Sequence, residues 1–531
     1  MMTKPKNTTY VLLLFAASIM SFAAKAQFTL AGQLRTRTEI RHGLGNLVLK
    51  GADAAAFTSQ RTRLGFGYKW DRLTFGVTVQ DVRVWGQDAS TISNADGNKL
   101  MLHEAWADLV LANKADTTIK FKLVDQLSLK IGRQELSYDD VRLVGNLDWL
   151  QQARRHDMAL LKTVHKGWQV DLGYAFNQNS DAFGITNTSY VPANVPAYIK
   201  NSMGLLVPTP AGILPLAANA NANSSKTGAP MFANAPSTNG ASQDYKSFTS
   251  LYVSRKFKQT KLSALFFNDH FGKYKIDSVG NPATGYVFGR RFASAGAVDT
   301  YDYNGTFSRY TYGLMINHTL GNASGFGKIA FQGAFYAQNG KNRDGIKMSD
   351  AYHYTLAVTY QKGKYSITPG YDVLSGNKAG TLTIDEKFDP LYGTPHKHWG
   401  YMDYFYVGTG SPAGGLNNAY VKVKYTGNAL TVGLDYHNFG LNQGMKKGDG
   451  SAVSKQLGNE FDLTVNYNLN KFTNIELGYA LMKATNSMAF AKGQATTDAI
   501  ANTYNKTGNW VYLMLNFRPD FFFAKPVAIK Q

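Results

Sequence analysis

Cysteine is absent from the 531 residues, so the chain carries neither a disulfide framework nor a lipid anchor on an N-terminal cysteine. After the first 26 residues no stretch approaches the roughly 18 consecutive apolar residues of a membrane helix. Catalytic signatures are missing too. There is no G-x-S-x-G, no Walker motif and no metalloprotease helix, and none of the ten histidines is followed two residues later by serine. His396-Lys397-His398 has metal-capable spacing on an expected strand, but no carboxylate or cysteine cluster accompanies it. Acidic residues are scarce, 36 against 56 Lys and Arg, leaving a net charge of +20.

Residues 1–26 read as a cleaved signal peptide. Lys4 and Lys6 form the charged region, Val11 to Phe22 the apolar region, and Ala24-Lys25-Ala26 the small-x-small cleavage site. Export makes nucleic acid an unexpected partner despite the basic charge. From Gln27 to Phe517 the chain is a succession of roughly ten-residue stretches that alternate apolar with polar or small residues. In one of them Phe461, Leu463, Val465 and Tyr467 hold one parity, and Glu460, Asp462, Thr464 and Asn466 the other. Such a strand has lipid on one face and water on the other. A large soluble β-sandwich or solenoid would alternate in the same way. The aromatic strand ends (Tyr68, Trp70, Tyr425, Tyr467, Tyr479) and the closing segment Trp510 to Phe517 favour a transmembrane barrel.

The connections strengthen that reading. Short joins at Trp70-Asp71, His165 to Gly167, Gln361 to Lys364, Thr426 to Asn428 and Leu469 to Lys471 alternate with long segments such as Asn179 to Tyr245 and Gly376 to Gly414. This is the rhythm of tight periplasmic turns and long external loops. The count is about eighteen antiparallel strands over residues 27–517, with both termini periplasmic and residues 518–531 as a short periplasmic tail. A plugged, energy-coupled receptor would need about 22 strands and a separate plug. The stretch Pro208 to Gln243, rich in Ala, Asn, Pro and Ser, suits an external loop.

Parity then sorts the charges. On the first strand Gln33, Arg35, Arg37, Glu39 and Arg41 turn to the lumen, and on the second Arg61, Arg63 and Lys69 do the same. An arginine facing lipid at mid-depth would cost about 2–4 kcal/mol. Around Gln80 to Trp85 the alternation slips by one, suggesting a bulge, and Arg142 to Arg155 read as a loop that folds inward as a constriction. The first 155 residues hold eleven of the seventeen arginines. A cationic lumen raises the local concentration of anions. Arginine walls can equally be salt-bridged networks that stiffen a barrel, with Glu39 or Asp81 as partners.

Four stretches carry a family resemblance: SQRTRLGFGYKW (Ser59–Trp70), VQDVRVWG (Val79–Gly86), GRQELSYDDVRLVGNLDW (Gly132–Trp149), and YDVLSGNKAG with FDPLYGTPHKHWGYMDYFY (Tyr371–Gly380, Phe388–Tyr406). Together they resemble the alginate export family of outer-membrane porins. The resemblance implies an eighteen-stranded barrel whose arginine-rich lumen passes an anionic uronate polysaccharide by diffusion, without a cofactor or metal. Matching motifs place Arg61, Arg63, Arg83, Arg133 and Arg155 in that lumen, and parity adds Arg35 and Arg37. The expectation is a monomeric, non-enzymatic outer-membrane channel for anionic oligo- or polysaccharides, in contact with lipid and lipopolysaccharide. A general porin without selectivity, or a barrel enzyme or adhesin acting through its loops, is the alternative.

Overall fold

A computed structural model describes residues 27–521 apart from 87–99, 117, 120, 179–190, 192–194, 218–224, 232–244, 295, 297, 323–324, 381–382 and 406–411. The expected signal peptide, much of the Pro208–Gln243 stretch and most of the 518–531 tail lie outside the described residues.

Eighteen antiparallel strands form the wall: β1 (Gln27–His42), β2 (Ala55–Trp70), β3 (Leu73–Val84), β4 (Met101–Asn113), β5 (Gln126–Gln134), β6 (His156–His165), β7 (Trp168–Phe176), β8 (Ser247–Phe257), β9 (Thr260–Gly272), β10 (Thr306–Asn322), β11 (Gly327–Lys341), β12 (Lys347–Lys362), β13 (Tyr365–Leu374), β14 (Leu416–Thr426), β15 (Leu430–Gly440), β16 (Gln456–Asn468), β17 (Thr473–Ala484) and β18 (Thr507–Phe517). Each strand pairs with its neighbours in sequence, and β18 closes the sheet on β1 from Leu34↔Phe517 to His42↔Asn509. Closure leaves no open edge, so the strands satisfy one another's backbone groups, as a membrane span requires. The tail prolongs the seam: Gly32 N donates to Pro519 O and Phe521 N to Leu30 O.

One end of the barrel carries tight turns. Between β6 and β7, Lys166 and Gly167 both have positive φ (48° and 79°), the geometry of a two-residue turn whose twist matches the flanking strands. The other end carries the long connections. Two segments break the rhythm: 114–125 is a longer connection at the turn end, and 342–346 is a short one at the loop end.

The outer face is apolar and uncovered by protein. Leu314, Phe335 and Leu356 are 66%, 54% and 60% exposed, and Leu64, Phe66, Tyr68 and Trp70 follow the same parity on β2. An apolar surface of this kind around a whole molecule calls for lipid. Inside, aromatic rings lie over glycines of adjacent strands. A Cβ at Gly478 would sit 1.9 Å from the Tyr512 ring, and one at Gly370 would sit 2.2 Å from the Tyr420 ring, so only glycine leaves room.

The lumen is not open along its length. Segment 135–155 and the described residues of 375–415 fold inward from the loop end, and residues 43–54 and 485–506 pack over them. Phe388, Leu391, Tyr392, Trp399, Met402, Tyr404 and Phe405 join Leu47, Met482, Met488, Phe490 and Trp510 in one buried cluster. The mouth is knit by backbone bonds from Gly45 N to Met402 O (2.7 Å) and from Lys50 N to Thr503 O (2.9 Å).

Two local expectations are corrected. The β2–β3 register runs without a shift from Trp70↔Leu73 to Ser59↔Val84, so no bulge reorients Gln80 to Trp85; the register shift lies at Thr78/Val79, against β4. His396-Lys397-His398 is not on a strand: Pro395–Lys397 forms a single 3-10 turn inside the lumen, begun by the proline.

Candidate functional site: an arginine wall and two lumen loops

Alternation on β1 and β2 sends Arg35, Arg37, Arg61 and Arg63 inward, and the register places Arg35 directly opposite Arg61 and Gln33 opposite Arg63. Like charges so placed repel unless something intervenes. What intervenes is the segment 135–155. Asp148 receives Arg61 Nη1 at 2.9 Å, Arg63 Nη1 at 3.0 Å and Arg35 Nη1 at 3.6 Å. Loop carbonyls take further guanidinium hydrogens: Arg35 donates to Asp148 O (2.8 Å) and Leu150 O (3.0 Å), and Arg37 to Trp149 O (3.0 Å). Gln33 accepts from Arg61 Nη2 (2.8 Å), Gln80 accepts from Arg63 Nε (2.7 Å), and Glu39 from Arg37 Nε (2.8 Å). Such charge-assisted contacts are the stronger kind of hydrogen bond. Burial pushes the Asp148 carboxyl up, but the Arg61, Arg35 and Arg63 guanidiniums outweigh it and hold the group below the usual carboxylate range. The wall arginines are therefore a latch, with Arg35 and Arg37 each 3% exposed and Arg61 fully buried.

Segment 375–415 is held by the complementary chemistry on β16, three strands from β1 around the ring. Backbone N–H groups of Met402 and Tyr401 donate to Glu460 Oε1 (2.7 Å) and Asp462 Oδ2 (3.3 Å) on β16. Arg309 of β10 holds Asp389 of the same segment at 2.6 Å, and Arg142 of segment 135–155 reaches Asp372 of β13 at 2.7 Å, beside the strand end where segment 375–415 begins. Burial pushes Asp140 up, and Arg142, outweighing it, holds that carboxyl well below its ordinary value.

The two segments meet in mid-lumen. Tyr392 N donates to Leu143 O (2.9 Å), Thr394 N to Val141 O (2.7 Å) and Gly145 N to Tyr392 O (3.0 Å). A column of flat groups crosses the join: Arg37 lies 4.5 Å over the Trp149 ring, Trp149 stacks on His396 (4.3 Å, 10°), and His396 on Tyr401 (4.8 Å, 14°). On the turn side of this column lies a cavity of about 810 Å³ bordered by Arg35, Trp149, Lys397, Lys422, Lys424 and Glu476 among others. A second cavity, of about 410 Å³, shares Thr368, Lys397 and Lys422 with it.

Two of the sequence-assigned lumen arginines, Arg83 and Arg133, are elsewhere. Arg83 lies opposite Gln60, on the parity of Thr62 and Leu64, and grips Asp81 (2.7 Å) on that same outward face. Arg133 follows Ile131 on β5 and pairs with Asp157 of β6, again outside, at 2.8 Å. Arg155 stays beside the lumen wall at the loop-end rim, with Nη1 on Gln152 O at 3.5 Å and Nη2 facing Met101 Sδ at 3.4 Å, Met101 being the register partner of inward Gln80. Arg83 and Arg133 face outward near the loop-end rim because β3 and β5 keep their alternation there. Missed in the sequence were Lys422 and Lys424, although their alternation with Val421, Val423 and Tyr425 signals lumen placement. Arg309 was missed as well, alternating with Tyr310 and Tyr312.

A closed eighteen-stranded barrel with an apolar outer face and charged lumen loops is the architecture of porin-type barrels of the bacterial outer membrane. Residues 26–175, which carry β1 to nearly the end of β7, match the family model described as Alginate export. No curated protein sequence matches the chain. Similar solved structures are outer-membrane porins. Acinetobacter baumannii OccAB1 is 11% identical, with 93% of this chain and 97% of that one covered and a TM-score of 0.51. For Pseudomonas aeruginosa OpdL the figures are 11%, 93%, 99% and 0.50. For Pseudomonas aeruginosa OpdO they are 10%, 93%, 98% and 0.50. At these identities the likeness concerns the fold.

Proposed function

We propose that the protein is a passive, non-enzymatic outer-membrane channel for anionic saccharides of the uronate type, secreted by removal of residues 1–26. The observation that carries the reading is the placement of four inward arginines on adjacent strands beside a loop-lined cavity. Their four guanidiniums exceed the three nearby carboxylates, Asp148, Glu39 and Glu135, so the field at the constriction favours anions. Removing the leader's three lysines still leaves a net charge of +17 on the chain. The match of residues 26–175 to the alginate export model supports a carboxylated polysaccharide as the solute. Proteoliposome flux is the test. Trigalacturonate should leave vesicles containing the protein faster than maltotriose, which has the same number of rings and no charge. Equal rates would leave a general porin, and no flux of either sugar would refute the channel.

A further inference from the structure

The wall arginines are saturated, so whatever recognises a solute entering from the turn end must lie elsewhere. Every carboxylate bordering the 810 Å³ cavity is also engaged. Asp148 holds three arginines, Asp435 holds Lys422 at 2.7 Å, and Glu476 accepts from Tyr512 Oη (2.7 Å) and Asn466 Nδ2 (2.7 Å). Two cations bordering it have no hydrogen-bond or ion-pair partner among the described residues. Lys397 is the exposed tip of segment 375–415, and Lys424 sits on β14 opposite Ser366, one residue from the turn end of β13. Lys422 Nζ donates to Lys397 O at 2.9 Å, pinning that tip to the wall and fixing where the Lys397 side chain starts. Hydroxyls of Thr431 and Thr464 border the same space. Ammonium groups with no ion-pair partner among the described residues, beside neutral hydroxyls, match a sugar ring that carries a carboxylate.

We propose that Lys397 and Lys424 form the entry subsite for a carboxylate-bearing saccharide unit, reached from the turn-end, periplasmic vestibule. This rests on the channel reading above and assigns its recognition to two lysines rather than to the arginine wall. Lys422 is the positioning residue of the pair.

Single-channel recording tests it, with trigalacturonate added to the turn-end side of oriented channels and maltotriose as the neutral control. In the K397Q/K424Q protein the half-blocking concentration of trigalacturonate should rise about tenfold at low salt, equivalent to about 1.4 kcal/mol. The difference should shrink at 1 M salt, where charges are screened beyond about 3 Å. Any maltotriose block should be unchanged, and K397R/K424R should retain most of the wild-type block. Heat-dependent gel migration checks that each variant folds. Wild-type-like trigalacturonate block in the folded glutamine variant, with the wild type itself blocked and anion-preferring, overturns the subsite alone. A wild type that is neither blocked nor anion-preferring overturns the functional reading, and the subsite with it.

Discussion

Asp148 is the residue on which the constriction turns. Its carboxylate is the shared counter-ion of Arg35, Arg61 and Arg63, each from a wall strand, while its own backbone belongs to the inward loop. Breaking a fully buried pair costs about 3–5 kcal/mol. Asp148 is 35% exposed, so water screens part of the interaction and Asp148→Asn should cost about 1–2 kcal/mol. The variant should show larger and noisier single-channel currents than the wild type. The pH dependence has a definite sign. The folded Asp148 titrates below its unfolded value of about 3.9, so the latch contributes fully above that value and is lost as pH falls through the depressed one. Conductance should be flat from about pH 5 to 8 and rise only below about pH 4. A rise at pH 6 would assign the latch to another group. Arg61→Glu would replace a cation facing Asp148 with a second carboxylate, so anion preference should fall and the loop should loosen while the barrel stays closed. Residues of this kind were half legible in the sequence. Alternation turned Arg35, Arg37, Arg61 and Arg63 inward, but Asp148 lies 87 positions beyond Arg61, and no local pattern announces so distant a partner.

At the scale of elements, strands and loops follow different rules. A strand's fate is written every second residue, which is why β16 was readable from Phe461, Leu463 and Val465 against Glu460 and Asp462. The same rule predicts asymmetry between the two faces of the wall. Leu314→Arg on the outer face of β10 should destabilise the barrel by about 2–4 kcal/mol in a urea titration, whereas Thr464→Lys on the lumen face of β16 should fold. Equal effects of the two would contradict the assignment of faces. The same alternation, applied without the motif, would have kept Arg83 and Arg133 outside; the motif match misled there, since adjacency to a lumen arginine is the opposite of sharing its face. The loops obey long-range contacts instead. Arg142 finds Asp372 across 230 positions, and Met402 finds Glu460 across 58. Removing that acceptor with Glu460→Ala orphans a buried N–H, at about 1–3 kcal/mol. Protease cleavage within 375–415 should then appear in the folded barrel and be absent from the wild type.

For the whole molecule, a sheet closed by β18 on β1 and a lumen packed at its loop end impose two consequences. The channel should conduct weakly for its strand count, because two segments and their common core occupy the section that a wide porin leaves open. It should also prefer anions, because four inward arginines cluster on β1 and β2 at the constriction and two lysines without ion-pair partners among the described residues border the turn-end cavity. Reversal potential across a planar bilayer holding the refolded chain, with a tenfold potassium chloride gradient, measures that preference most directly. The account predicts a small conductance with a reversal potential displaced toward the chloride equilibrium, the displacement shrinking when both solutions are made more concentrated. A potential at zero, or displaced toward the potassium equilibrium, would contradict it.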